Sequence, residues 1–509
     1  MADLTKMVGL SAGEAQDQRV ETMILEPTAA SQSQVKFLLP QQGLLSSDVF
    51  LTFKMVGGAA TQDIPLFAGA TGLIRRASIY YQNELLQETD QLPHLLQLKT
   101  FMVDQDVRNQ TFQCKWGHFS GLKVDESAAG KKGMYSLDAT NEYGIMPNGT
   151  VGLKIDTAVP GGTDINKHDS WRLATTSADT PEWTIPLKLV FPWLSQTSLA
   201  LGLLNGRVSI VFDLNDDLPG LRTVVNKQSN IGVPWNPGNL LDTTSIRLSL
   251  DLIYYDDQPG KRSPMDAIQS ALQKGLEMTY TDYVHVEEFI PGTGAAPPAA
   301  PIVRDKTIRL GLDHQIVRNI LMAMPPQADY TDLATGISNP ILGDYSSQAS
   351  QGETELQVKI NNQNLFVNSL DMDAKIYNEL SQVFNTPLKA NIGATSCVGQ
   401  VTGANLNFDP NQVAFPTDKF ILGHQEGGFA VGAPHKTLSG SLGYMGVNLS
   451  RTYDNVLGAG TSIGKSPVEI NLKYTLTPQN GQQNTRVLTW SECERVMLVK
   501  NGSIYVSGS

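Results

Sequence analysis

Short segments in which apolar and polar residues alternate recur along most of the chain. They are rich in β-branched and aromatic residues, and most of them end at Gly, Pro, Asn or Asp. This pattern is typical of antiparallel strands that bury one face in a sandwich or barrel. The clearest segments are residues 35–39, 49–55, 77–81, 183–190, 207–212, 245–255, 307–312, 320–324, 355–360 and 468–476. The sequence therefore predicts an all-β protein with short helices.

One helix is predicted near the middle of the chain, over residues 263–275. Ser263 can cap its N-terminus, Pro264 suits the first helical position, and Gly275 can end it. An apolar stripe along the segment indicates one buried face. Because predicted strands flank this helix, we expect it to connect two domains.

The two halves of the chain carry similar patterns in the same order, which indicates an internal repeat. Leu365 follows Leu85 by 280 positions, and each comes after an Asn/Gln-rich turn and before a predicted short helix. We interpret residues 245–259 and 468–480 as the strands that close the two copies. The matched segments are 35–55 with 308–324, 78–101 with 358–384, and 245–259 with 468–480.

The repeat predicts two copies of one β-sandwich in a single chain. Long polar, Gly-rich insertions in each copy belong on the surface, because extra loop length costs little closure entropy. Asn501-Gly502, between alternating segments, predicts a final hairpin that folds onto its own domain or lies on a neighbouring subunit. The expected division is an N-terminal arm (1–16), a first sandwich (17–262, insertion 104–181), a connecting helix (263–278), a second sandwich (279–480, insertion 391–443) and a C-terminal hairpin tail (481–509).

Composition and charge narrow the possible functions. The 509 residues carry a formal net charge of −12, so the chain has no overall positive field with which to hold a genome. Charged residues make up only 17%, against about 25% in average soluble domains. Burial of surface between subunits would account for that low value. The first residues show no secretory pattern, so we expect synthesis in the cytoplasm.

We predict no catalytic residue, no cofactor site and no metal site. Residues 459–466 resemble a phosphate-binding loop, but Pro467 and an alternating segment follow where that loop needs a helix. The seven histidines include no closely spaced pair of the kind that binds metal. The acidic residues 213–217, 256–257 and 287–288 fit solvated turns at strand ends. Three distant cysteines, Cys114, Cys397 and Cys493, predict no disulfide framework.

Several of these segments together carry a family likeness. QRVETMIL (18–25) precedes VKFLLPQQGLLSSDVFL (35–51), and the strand, turn and short helix that follow recur after the central helix. MGVNLSR (445–451) and VEINLKY (468–474) are similar to the last strands of the family's second domain. This order resembles the double jelly-roll major capsid proteins of icosahedral double-stranded DNA viruses. Within that group it is most similar to those of polinton-like viruses and virophages.

The resemblance implies two consecutive eight-stranded antiparallel jelly-roll sandwiches and a structural role without enzyme activity. It implies a homotrimer with six sandwiches, a pseudo-hexameric capsomer that packs against neighbouring trimers in the virion shell. The partners it implies are further copies of the chain and minor capsid and penton proteins, with no sequence-specific nucleic acid. Whether an internal membrane adjoins the shell is left open.

A second function class also fits a paired jelly roll. Such folds host carbohydrate-binding proteins and hydrolases, and a fold does not fix a function. That alternative requires convergent carboxylates or stacked aromatic side chains in a cleft. Aromatic residues make up only 7% of the chain, and no carboxylate pair stands out, so the capsid interpretation is preferred.

Overall fold

The computed structural model gives the fold as a series of defined segments. The residues it describes are 18–31, 33–55, 63–65, 74–101, 124–128, 131–134, 143–145, 151–154, 170–172, 182–196, 198–214, 223–226, 231–233, 241–255, 263–294, 300, 302–324, 353–371, 379, 382–383, 444–450, 460–465, 467–476 and 484–507.

Antiparallel strands dominate the described residues. In the first half they are β1 (Gln18–Leu25), β2 (Ala29–Ala30), β3 (Gln34–Leu38), β4 (Leu44–Met55), β5 (Asp63–Pro65), β6 (Ile74–Tyr81), β7 (Glu84–Thr89), β8 (Val124–Ala128), β9 (Lys131–Met134), β10 (Tyr143–Ile145), β11 (Val151–Lys154), β12 (Ser170–Arg172), β13 (Glu182–Pro186), β14 (Val208–Leu214), β15 (Thr223–Asn226), β16 (Ile231–Val233) and β17 (Leu241–Tyr255). In the second half they are β18 (Leu276–Ile290), β19 (Ile302–Leu310), β20 (Ile316–Ala323), β21 (Glu353–Ile360), β22 (Gln363–Asn364), β23 (Leu370–Asp371), β24 (Tyr444–Asn448), β25 (Thr461–Ser462), β26 (Val468–Leu476), β27 (Thr485–Lys500) and β28 (Ser503–Ser507).

The described helices are few and short. They are α1 (Leu92–Phe101), α2 (Leu187–Val190), α3 (Pro192–Gln196), a 3₁₀ turn (Leu201–Leu203) and α4 (Pro264–Lys274). No helix in the described part of the chain is long and apolar enough to cross a bilayer. The helix predicted from the central capping pattern is confirmed as α4. Ser263 Oγ accepts a hydrogen bond from Asp266 N–H, and Gly275 ends the helix at a φ of 101°.

The first sandwich has two sheets whose strand order identifies the fold. One sheet runs β1-β17-β4-β13, and the other runs β2-β3-β14-β6-β7. Its first and last long strands, β1 and β17, pair side by side, and each sheet draws strands from both ends of the segment. This is the connectivity of a jelly roll, in which two Greek keys close into a sandwich. A third sheet, β10-β11-β12-β5-β15-β16, is made of strands from three different loops.

The second sandwich repeats this order except that β2 has no counterpart among its described strands, and it adds the short strands β23, β25 and β28. One sheet runs β18-β27-β20-β24, and the other runs β19-β26-β21-β22. The positive-φ turns between β6 and β7 (Gln82) and between β21 and β22 (Asn361 and Asn362) also correspond. The predicted all-β class and the double jelly roll are therefore confirmed.

Two apolar clusters fill these sandwiches. Alternation explains these clusters. Val35 and Phe37 in β3 are buried between less buried neighbours, and the same holds for Leu248, Leu250 and Leu252 in β17. The first cluster also takes residues from far along the chain, namely Met278, Tyr280, Met497, Val499 and Ile504. The second takes Leu95 and Leu98 from α1. Each core is therefore completed by residues from the other half of the chain.

The closing strands differ from the prediction. We predicted that 468–480 closes the second copy opposite 245–259, and that 481–509 is a tail outside it. In the structure β26 occupies the place of β14, whereas β27 occupies the place of β17 and pairs with β18 along 15 residue pairs. The hairpin at Asn501-Gly502 does form, between β27 and β28. An Asn-Gly turn indicates where two strands meet, but it carries no information about which sheet receives them.

Several predicted features lie outside the described residues. These include the arm 1–16, the insertion 391–443 and most of the insertion 104–181. Of the second predicted short helix, only residues 379, 382 and 383 are described, and they are helical.

Candidate assembly surfaces

The two sandwiches meet at the open edge of β18, and two glutamine side chains cover that edge. Gln87 Nε2 donates to the Thr281 carbonyl at 2.6 Å, and the Thr281 N–H donates to Gln196 Oε1 at 2.6 Å. Gln196 Nε2 also donates to Thr281 Oγ1 at 3.0 Å. An edge strand carries unpaired backbone donors and acceptors that must find partners when buried. The two amide side chains therefore bond to the backbone of Thr281 as a neighbouring strand would.

Apolar and aromatic side chains extend this contact along α1. Leu95 and Leu98 are fully buried in the second core, although α1 follows β7 of the first sandwich. Trp490 in β27 is also fully buried, and its Nε1 donates to the Asp90 carbonyl at 2.9 Å. Tyr280 Oη donates to the Leu86 carbonyl at 2.6 Å. Buried apolar side chains and hydrogen bonds between the two sandwiches are typical of a permanent contact.

An ion pair with little solvent access joins β18 to β27 beside these contacts. Asp282 Oδ2 is 2.8 Å from Arg495 Nε, and the two side chains are 5% and 18% exposed. Burial raises the pKa of Asp282 to about 6, while the charge of Arg495 acts in the opposite direction. Burial also lowers the pKa of His94, on α1, to about 3. Breaking a buried pair leaves an uncompensated charge, so this pair stabilises the contact between the neighbouring strands β18 and β27 of the second sandwich.

The C-terminal hairpin fastens the second sandwich to the first. Its tip is held by three hydrogen bonds: Tyr81 Oη to the Gly502 carbonyl (2.9 Å), Asn205 N–H to the same carbonyl (2.8 Å), and Asn205 Nδ2 to the Asn501 carbonyl (2.7 Å). Asn501 N–H donates to the carbonyl of Leu272 in α4 at 3.1 Å. The hairpin thus contacts the first sandwich and the connecting helix at once.

Large apolar side chains remain exposed at a few places. Val20 and Ile24 on β1 are 52% and 67% exposed, Val367 after β22 is 99% exposed, and Val303 on β19 is 53% exposed. Isolated exposed apolar residues are common on proteins, so their arrangement matters more than their number. Val20 and Ile24 lie on one edge strand, with nothing but β17 paired to it among the described residues.

The segment that resembles a phosphate-binding loop contains one short strand and is followed by another strand. Thr461 and Ser462 form β25 and pair with β20, and β26 follows at Val468. The Gly464 N–H points to Asn361 Oδ1 at 3.3 Å. Because strand β26 follows in place of a helix, no helix N-terminus follows the described residues 460–465 to face an anion.

The three described carboxylates for which the sequence predicts solvated turns instead lie in strands β14 and β18 and form ion pairs. Asp213 contacts Arg76 at 2.5 Å, Glu288 contacts Lys306 at 2.9 Å, and Glu287 pairs with Arg486.

No group of three metal-binding side chains occurs among the described residues. Cys493 is buried, and burial raises its pKa to about 12. The following candidate residues lie outside the described part of the chain: Cys114, Cys397, His118, His168, His424, His435, Asp216, Asp217, Asp256 and Asp257.

Gln87 and Gln196, the residues that hold the interface, were not predicted from the sequence. Each is an ordinary polar residue in a strand or short helix, and no local motif distinguishes it.

Comparison with known proteins identifies the fold. No family model and no curated protein sequence matches the chain. Among solved structures, a chain of the PBCV-1 virus capsid is similar with a TM-score of 0.55 and 11% identity, covering 97% of both chains. A chain of the Sputnik virophage, solved by cryo-EM, has a TM-score of 0.55 and 13% identity, covering 96% of this chain and 88% of that one. The predicted resemblance is thereby confirmed at the level of fold: the chain is a double jelly roll similar to these viral proteins.

Proposed function

We propose that this chain is a major structural subunit of an icosahedral virus shell. The observation that carries the proposal is the likeness to a PBCV-1 capsid chain over 97% of both chains. It extends over both sandwiches and their connection, so it concerns the whole subunit. The low content of charged residues, 17%, also suits a chain whose side walls are covered by neighbours.

The proposed assembly is a homotrimer with six sandwiches around a three-fold axis. The matching strand order of the two sandwiches supports this, because two similar units per chain allow a nearly six-sided outline. The domain division that goes with it is a first sandwich over 17–262 and a second that starts near 279 and includes β27. The insertions 104–181 and 391–443 are proposed to lie on one end of the tile.

The proposed partners are further copies of the chain, together with minor capsid and penton proteins. The proposed location is the virion, after synthesis in the host cytoplasm. The role is structural, without catalysis, and without sequence-specific contact to nucleic acid; the net charge of −12 supports the last point.

Sedimentation velocity and electron microscopy of the purified chain test this function. We expect one species of three chains, seen as particles with three-fold symmetry and a six-sided outline. A chain that stays monomeric at the highest attainable concentration would contradict the proposal.

A further inference from the structure

Two histidines lie in the contact between α1 and the second sandwich, one on each side. His94 belongs to α1 and is 1% exposed, and His285 belongs to β18. His94 precedes Leu98 by about one helical turn, so it shares the face of α1 that enters the second core. The His285 ring lies against Trp490, with 5.3 Å between the ring centroids. We call His94 and His285 the histidine pair.

The hydrogen bonds of His285 suit an uncharged ring. Its Nδ1 lies 3.1 Å from the Thr489 carbonyl oxygen, where an N–H is needed as donor. The neutral ring then carries its lone pair on Nε2, which is buried and has no hydrogen-bond partner among the described residues. A proton on Nε2 would add a charge and a donor without an acceptor, which is costly in a buried place.

The charges around the histidine pair are already balanced. The charged side chains that act on it are Asp90, Glu287 and Arg486. Asp90 lies 3.9 Å from Arg75 Nε, and Glu287 pairs with Arg486. These four side chains carry two negative and two positive charges. Protonation of the histidine pair therefore adds two positive charges, and each nearby carboxylate already has an arginine partner.

Other charged groups on the same elements form separate contacts. Lys99 Nζ, further along α1, donates to Tyr283 Oη, which donates to Glu492 on β27. Asp282 on β18 has a raised pKa, so acid pH favours the folded chain through Asp282. Because that effect is opposite in sign to the one expected for histidines, a test must compare chains that differ only at histidines.

The histidine pair is held neutral while the contact is closed. Burial lowers the pKa of His94 to about 3 and also lowers the pKa of His285, against the opposing charges of Asp90 and Glu287. A histidine in water has a pKa of about 6.5. Below about pH 6.5 the open contact therefore takes up protons that the closed contact does not, so acid favours opening. For His94 alone, the opening equilibrium rises about 25-fold from pH 7 to pH 5.

We infer that the histidine pair is a pH-sensitive switch: protonation of His94 and His285 loosens the contact between α1 and the second sandwich, so that the two sandwiches of one chain separate more readily at pH 5 than at pH 7. The inference goes beyond the proposed function, because it concerns a contact within a single chain and does not depend on assembly.

Amide hydrogen exchange at pH 7 and pH 5 tests the switch. Protection factors, which correct for the intrinsic effect of pH on exchange, are measured for α1 and β18 relative to β26, a strand of the other sheet. The double variant is His94→Gln/His285→Asn, in which the new asparagine can still donate to the Thr489 carbonyl. The control is His314→Asn, at an exposed turn with a φ of 59° that asparagine tolerates.

From pH 7 to pH 5, the unsubstituted chain and the control should lose at least about tenfold more protection in α1 and β18 than the double variant loses. Equal losses in the double variant and the unsubstituted chain would overturn the switch and leave the proposed function intact.

A second measurement needs no variant. Exchange of the imidazole C2 hydrogen, followed by mass spectrometry, gives the titration midpoint of each histidine in the unsubstituted chain. Midpoints below about 6 for both His94 and His285 support the switch, and a midpoint of about 6 or above for either one overturns it.

Discussion

The hairpin residue Ile504 offers a sharp test of how the two sandwiches are joined. Ile504 lies at the far end of the chain yet is 1% exposed within the first core. Ile504→Ala removes three carbon atoms from a packed site and leaves a void, which costs about 2–5 kcal/mol in comparable cores. Its neighbour Tyr505 is 55% exposed, so Tyr505→Ala should change the free energy of unfolding by at most about 0.5 kcal/mol.

Urea unfolding followed by tryptophan fluorescence measures both variants, and hydrogen exchange with mass spectrometry locates the effect. For Ile504→Ala we expect faster exchange in α4, because Asn501 N–H bonds to the Leu272 carbonyl there. Equal losses of stability in Ile504→Ala and Tyr505→Ala would refute the reasoning. So would a loss confined to peptides of the second sandwich, since Ile504 would then not belong to the first core.

Further predictions concern the interface and the hairpin tip. Gln87→Leu should cost about 1–3 kcal/mol, because it leaves the buried Thr281 carbonyl without its donor; urea unfolding measures this, and a neutral result would contradict the edge-covering role. The raised pKa of Asp282, about 6, means that the folded chain binds its proton more tightly than the unfolded chain. Ionisation therefore opposes folding, and as pH rises from 4 to 7 the unsubstituted chain should lose about 2 kcal/mol relative to Asp282→Asn. Parallel pH profiles of the two proteins would disprove this. Gly502→Ala should lower the melting temperature, because Gly502 has a φ of 75° and an added Cβ would lie 2.8 Å from the Asn205 side chain.

Local signals in the sequence predicted the elements but not their full assembly. The Ser263 cap, Pro264 and Gly275 define α4, since capping is decided by neighbouring residues. The Asn501-Gly502 turn defines the last hairpin for the same reason. Residues 485–500 were placed outside the second sandwich, because a strand in the middle of a sheet has the same alternation as one at its edge.

The interface residues could not have been found in this way. Gln87 is buried only because Thr281, almost two hundred positions later, lies beside it. Such a contact depends on the topology of both sandwiches, which local sequence patterns do not specify.

The crossing of β27 and β28 into the first core has a consequence for biosynthesis. Met497, Val499 and Ile504 leave the ribosome long after the strands they cover, so the first sandwich must wait with part of its core open. A chain that is released early lacks these residues and keeps apolar surface exposed to chaperones and proteases. Folding of the first sandwich is thereby coupled to the synthesis of β27 and β28.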